Sequence, residues 1–336
     1  MAANGRRRPT IKDVAAAAGV SRGTVSRVIN GGHWVSPASR EAIEEAIRTT
    51  GYRVNQHARS LVTGRSDSLA FLLTEPQHLL FADPTFALLL RGAAEALAEH
   101  RKTLILLVAH TPAERERVTA YLGAGHVDGA MLISSHANEP LIGALIEQGV
   151  PLVSCGLPIG YADQVSSVSV DEAGGARAVV AHLLSRGRRR IAIITGPLDT
   201  PGGRFRLEGY REELGEHFHP ALVAHGDYSL ESGTRAMDEL LERAPDLDAV
   251  FAASDLMAAG ALTALRRHGR SVPDDVAVAG FDDSGLAATT DPPLTTMHQP
   301  FDRISAEMVR VLLEVIDGAD HAAVTMPADL VVRAST

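Results

Sequence analysis

The sequence predicts an α-helical helix-turn-helix head joined to a larger α/β body of two doubly wound, parallel-sheet lobes. Three observations carry this expectation. Residues 1–66 hold eleven Lys/Arg and four Asp/Glu, a net of +7, so residues 67–336 carry −16 of the whole-chain −9. Near the N-terminus two short helical patterns are separated by Gly19-Val20-Ser21. From Leu69 onward, short apolar runs alternate with amphipathic stretches, the pattern of parallel strands covered by helices.

Composition narrows the class before any motif is read. A chain of 336 residues, 45% hydrophobic, is long enough for two or three packed units. The single cysteine, Cys155, excludes an intrachain disulfide framework and a thiolate metal cluster, and fits a reducing compartment. Met1–Pro9 is charged and no apolar run follows it, so no secretory leader is expected. No stretch approaches the ~20 apolar residues of a membrane span. A cytoplasmic protein without a membrane partner is the expectation.

In the head, Thr10 is placed to cap a first helix, with Asp13 at its third position to complement the free N–H groups. Val14, Ala15 and Ala18 follow at helical spacing. Gly19 permits a tight turn, Val20 plugs the core and Ser21 caps a second helix, residues 22–30, which buries Val25, Val28 and Ile29. Arg22, Gly23, Thr24, Ser26, Arg27 and Asn30 remain on or near the other face. Ser36, Pro37, Ile43, Ala46, Ile47 and Gly51 mark a third helix. An ordinary three-helix bundle is the competing reading, but turn, polarity and charge together favour a helix that enters a DNA major groove. Arg22 and Arg27 then suit guanine edges, at ~1–3 kcal/mol of discrimination each. Thr10, Ser21, Thr24 and Ser26 suit phosphates.

The pattern of residues 55–61 predicts a helix too short to stand alone, since isolated helices below ~12–15 residues are marginal. Asn55 caps it, and Ala58 and Leu61 share a face. It is either a helix that folds only against a partner or a flexible linker; Thr63-Gly64-Arg65-Ser66 has linker composition.

Thr10-Ile11-Lys12-Asp13-Val14-Ala15, Gly19-Val20-Ser21, Thr24-Val25-Ser26-Arg27-Val28-Ile29-Asn30 and Gly51-Tyr52 resemble the lactose/purine repressor (LacI/GalR) family of bacterial transcription regulators. The match runs on through Asn55, Ala58, Arg59 and Leu61 and, more weakly, across most of the chain. The resemblance implies a DNA-binding domain at 1–53 with Tyr52 among its DNA contacts, and a hinge and linker at 54–66. It further implies a two-lobed effector-binding and dimerisation domain at 67–336, of periplasmic sugar-binding-protein type. In that family the hinge helices pair in the minor groove, and the leucine matching Leu61 wedges between base steps.

The body's apolar runs read as strands at 69–73, 103–109, 127–134, 151–155, 191–196, 249–254 and 276–282, with helices at 85–100, 138–148, 174–186, 230–243 and 255–268. Lobe 1 is expected over about 67–165 plus 296–326, and lobe 2 over about 166–295. Ligands of such sheets bind beyond the carboxyl ends of the strands. Arg206 follows the 191–196 strand, and the resemblance makes it the arginine that clamps the ligand. Asp282 ends its strand and is either a ligand carboxylate or a cap, while Asp255 reads as a helix cap. By resemblance Tyr228, Phe86 and Phe301 line the ligand, though Tyr228 and Phe301 read equally as core. A guanidinium fork, a carboxylate and aromatic faces suit a sugar's hydroxyls and C–H faces.

Departures from the family pattern redraw this pocket. Ser254 replaces a ligand-binding asparagine, Gly156 a carboxylate, Thr85 an aromatic and Glu172 an asparagine. Leu80-Phe81-Ala82-Asp83-Pro84 with Val127-Asp128-Gly129 is similar to members that respond to cello-oligosaccharides, so a di- or oligosaccharide is the expected effector.

No phosphate-binding glycine loop, nucleophile elbow or spaced metal-ligand set is present; no enzyme activity, metal or cofactor is expected. The expectation is a repressor that leaves its palindromic operator when a sugar binds between the lobes. A corepressor-dependent regulator or a transport-associated sugar-binding protein are the alternatives. Two half-sites call for a homodimer, and no leucine heptad tail follows Leu330.

Overall fold

The computed structural model describes residues 9–29, 34–52 and 64–336. It divides into two compact units, Met1–Ser66 and Asp67–Thr336.

In the first unit, α1 (Ile11–Ala18) packs against α2 (Arg22–Ile29) and α3 (Pro37–Thr50). The Asp13 carboxylate accepts hydrogen bonds from both the Thr10 N–H and hydroxyl at 2.7 Å, closing the first turn. Gly19 ends α1 at φ 66°, a conformation that costs a glycine little. Ser21 Oγ then accepts from the Thr24 N–H, starting α2 as its spacing predicts. Val14, Val25 and Ile43 are fully buried, with Ile11, Val28, Ile29 and Tyr52 packed around them.

The second unit holds two six-stranded sheets. Its first lobe comprises β1 (Ser68–Leu73), β2 (Thr103–Val108), β3 (Gly129–Ile133), β4 (Leu152–Cys155) and β5 (Ser166–Val170). Among these run α4 (Leu79–Ala82), α5 (Pro84–Glu99), α6 (Pro112–Gly123) and α7 (Pro140–Glu147). The second lobe begins with α8 (Glu172–Ser185), β6 (Ile191–Thr195), α9 (Pro201–Leu214) and β7 (Val223–His225). It continues through α10 (Leu230–Arg243), β8 (Ala249–Ala252), α11 (Asp255–Arg267), β9 (Ala277–Asp282) and β10 (Thr295–His298). The chain returns to the first lobe for α12 (Phe301–Ile316) and β11 (Ala323–Met326), then ends in the second with β12 (Asp329–Val331). Strand order is β11-β5-β4-β3-β1-β2 in one sheet and β12-β10-β9-β8-β6-β7 in the other. Every pairing is parallel except β10 with β12. The strands bury near-continuous apolar runs because helices cover both faces.

The lobe boundaries differ from the expected ones. Ser166–Val170 joins the first sheet rather than opening the second lobe. Its three serines hide a strand that is buried because small side chains let helices approach closely, and Ser166 Oγ accepts the Ala322 N–H. Thr295–His298 stays in the second sheet beside β9, so the return crossing falls at residues 299–300. The third crossing follows Met326. Three passages between lobes agree with the resemblance.

Candidate functional site

On the head, Arg22, Gly23 and Arg27 are exposed, and Thr24 and Ser26 are half-buried on the same helix. The Thr10 side chain is committed to Asp13, and Ser21 Oγ lies 2.8 Å from Thr24 Oγ1. These caps fix the start of α2, the turn that a groove-reading helix presents to base edges. Tyr52 packs on the head core. Asn30, Asn55, Ala58 and Leu61 lie outside the described residues.

In the body, all six expected ligand residues line one cavity between the lobes, of about 150 Å³: Phe86, Arg206, Tyr228, Ser254, Asp282 and Phe301. Arg206 sits in the second turn of α9, and its side chain is buried. Its Nε donates to Glu172 Oε2 at 2.6 Å, its Nη1 donates to the Ala253 carbonyl and lies 3.5 Å from Asp282 Oδ1, and its guanidinium stacks 3.7 Å from the Phe281 ring centroid. Burial opposes its charge, but the neighbouring carboxylates Glu172 and Asp282 more than offset this and raise its pKa. The result is a fork locked in one pose before any ligand arrives. Glu172, noted in the sequence only as a departure, is its principal anchor.

Asp282 ends β9 at φ 121°, and one carboxyl oxygen accepts from Gln299 Nε2 at 2.8 Å. Burial raises its pKa well above the usual carboxylate range despite Arg206 nearby, with Asp255 and Asp83 adding to the rise. Asp83 is likewise raised by burial; it accepts from the Thr85 N–H and hydroxyl at 2.9 and 2.7 Å as the cap of α5.

Tyr228 lies at φ 70°, half-buried, with its hydroxyl 3.2 Å from Thr200 Oγ1. Two glycines make room for it: a Cβ at Gly196 would meet the Tyr228 ring at 2.1 Å, and one at Gly202 its hydroxyl at 2.9 Å. Ser134, at φ 57°, joins Tyr228 and Asp282 in the left-handed region at the rim of this cavity. Such clustering of backbone strain is characteristic of binding sites. Phe86 and Phe301 are buried in the first lobe's core and also line the cavity.

Two corrections concern the start of α11. Ser254, not Asp255, is the cap: its Oγ accepts the Met257 N–H at 3.2 Å. Asp255 is the first helical residue, buried, and accepts from Thr296 Oγ1 at 2.6 Å. Burial raises its pKa too. Ser254 therefore lines the cavity with its hydroxyl already engaged.

Sequence reasoning missed Ser135, Thr200 and Gln299, all cavity-lining. Ser135 Oγ is buried and has no hydrogen-bond partner among the described residues, an arrangement a ligand hydroxyl would satisfy. Its place just past β3 was the available signal. Cys155 lines the wall as well, and burial pushes its thiol up to about 12, which suits packing. Asp83, Phe86, Ser134 and Tyr228 also border an adjoining vestibule of about 1010 Å³, with Glu75, His136, Glu139, Asp199 and Asp227 among its polar residues. Among the described residues no helix is long and apolar enough to cross a membrane.

A helix-turn-helix unit followed by a two-lobed, cleft-bearing α/β unit defines the class of ligand-responsive bacterial transcription regulators. Residues 10–55 match the bacterial regulatory proteins of the lacI family, and residues 180–336 match the periplasmic binding protein-like domain. The chain is 47% identical to the HTH-type transcriptional regulator CelR of Thermobifida fusca, over 98% of this chain and 99% of that protein. It is 32% identical to the transcriptional repressor CytR of Escherichia coli K12, over 97% and 96% respectively. Among solved structures, a CelR–cellobiose complex superposes with a TM-score of 0.79 at 45% identity, covering 98% of this chain and all of that one. A Lac repressor dimer bound to operator and the anti-inducer ONPF superposes with a TM-score of 0.85 at 27% identity, covering 98% and 99%. The chain belongs to the lacI family of bacterial transcription regulators.

Proposed function

We propose that this protein is a cytoplasmic homodimeric repressor that binds a palindromic operator and is released by a cello-oligosaccharide, cellobiose or longer, held between the lobes. One observation carries the ligand class: an immobilised guanidinium fork and the Asp282 carboxyl from the second lobe line one cavity with the Phe86 and Phe301 rings of the first. Sugars need that combination, because hydroxyls take directional hydrogen bonds while C–H faces lie against rings. The small residues at 156, 254 and 85, the adjoining vestibule and the likeness to CelR in complex with cellobiose support more than one sugar unit. The six cavity residues are the proposed ligand contacts, and Arg22, Gly23, Thr24, Ser26, Arg27 and Asn30 the proposed readers. Residues 54–66 are the proposed hinge, and no catalytic role is assigned.

For release, the sugar must bind the DNA-incompetent arrangement more tightly; a 100-fold preference is worth ~2.7 kcal/mol. Titration calorimetry of the full chain tests the ligand class. Cellobiose or cellotriose is expected to bind at least tenfold more tightly than glucose. Tight binding of a monosaccharide or nucleoside with no heat from either oligosaccharide would overturn the assignment.

A further inference from the structure

We infer that His136 and Asp199 form a clasp that holds the two lobes shut across the vestibule, making His136 a positioning residue for retention of the bound sugar. The inference rests on the cleft being the sugar site. His136 follows β3 of the first lobe, and Asp199 lies in the second lobe's loop between β6 and α9. His136 Nδ1 is 2.9 Å from Asp199 Oδ2, and its Nε2 is 2.9 Å from Glu75 Oε1. The neighbouring Ala137 N–H donates to the Asp199 carbonyl at 2.7 Å, so a side-chain and a main-chain bond cross between lobes at one point.

The two ends of this bridge are built differently. Glu75 is largely buried and also accepts from Ser134 Oγ at 2.6 Å, whereas the Asp199 side chain is 57% exposed. An imidazole that donates from both nitrogens carries both protons. The Glu75 hydrogen bond is the main cause that raises the His136 pKa to about 9, against a burial penalty, with Asp199 adding to the rise. The anchored end therefore belongs to the first lobe and the releasable end to the second. When the lobes part, His136 stays with Glu75 and lets go of Asp199.

What the clasp restrains is the ligand grip itself. Thr200, next to Asp199, caps α9 through Gly203 and places its Oγ1 against the Tyr228 hydroxyl. Arg206 lies further along the same helix. Shutting the clasp thus seats the helix start that bears the fork. A partly exposed ion pair contributes modestly, so the effect belongs in the rate of release more than in encounter.

Stopped-flow measurement of cellobiose release from the full chain tests this with His136→Gln, Asp199→Asn and the double variant. Each single variant is expected to speed release about 3- to 10-fold, leave association within about twofold, and the double variant to match the singles. Release rates that multiply in the double variant, or that do not change, overturn the clasp. Should cellobiose not bind the unaltered protein, the proposed ligand fails and hydrogen exchange decides the clasp. Ligand-free protein is then expected to show faster exchange at residues 135–138 and 197–203 in both single variants; unchanged exchange there overturns it.

Discussion

The two walls of the cleft are made of different material. The second lobe presents Arg206, Asp282, Tyr228 and Glu172, cross-tied by Glu172, Ala253 and Gln299 so that each polar group has a fixed direction. The first lobe presents Phe86 and Phe301, core residues whose inner faces border the cavity, together with the polar Ser135 and Asp83. On the proposed reading, one wall is a preorganised grip that loses little freedom on binding, and the other supplies the aromatic faces. Specificity for hydroxyl pattern should then reside in the second lobe and the gain from desolvation in the first.

The largest break in that asymmetry is expected from Arg206→Ala. Removing a charged hydrogen-bond donor to the ligand costs about 1.5–3 kcal/mol, which predicts at least about a tenfold loss of cellobiose affinity by calorimetry. A loss below tenfold would show that the fork does not grip the ligand. Next comes the head, independent of both walls: Arg22→Ala or Arg27→Ala should weaken operator binding by ~1–3 kcal/mol in fluorescence anisotropy. Sugar affinity should not move in either variant. On the first-lobe wall, Phe86→Leu should cost only about three- to tenfold in affinity, in line with ~0.5–1.5 kcal/mol for an aromatic face. If Phe86→Leu proves as damaging as Arg206→Ala, the division of labour between walls is wrong.

The smallest effect is a pH dependence. His136 is raised to about 9 from its ordinary 6.5. Its protonated form is favoured by folding, so the stabilisation is complete below about pH 6.5 and disappears as pH rises through about 9. His110 also acts on Glu75 electrostatically, so the comparison must be with His136→Gln rather than absolute. The melting temperature of the unaltered protein is expected to fall toward that of the variant across pH 6.5–9 in differential scanning fluorimetry. A constant gap between the two would contradict the assignment.

Legibility in the sequence followed the range of the interactions involved. The head could be read almost residue by residue, because caps, a glycine turn and helical spacing are all local: Ser21, Gly19 and Pro37 each sit where their chemistry requires. The apolar strands were equally plain. Helix α9 was obscured by Pro201-Gly202-Gly203 at its start, where the glycines serve Tyr228 packing and close approach to residue 197 instead of helix propensity. Strand β5 was obscured by serine. Arg206 and Asp282 were reachable through strand-end placement and resemblance, but Glu172 as the anchor of Arg206 and Gln299 as the partner of Asp282 are tertiary facts. The His136–Asp199 contact spans 63 positions between two loops and leaves no periodic trace.

The central claim is that sugar in the cleft governs the DNA affinity of the head. Fluorescence anisotropy of the full chain on a palindromic duplex selected from a random pool, titrated with and without saturating cellobiose at physiological ionic strength, measures this directly. The account predicts that cellobiose weakens the complex at least tenfold. Tighter binding, or no change while calorimetry shows the sugar bound, would contradict it.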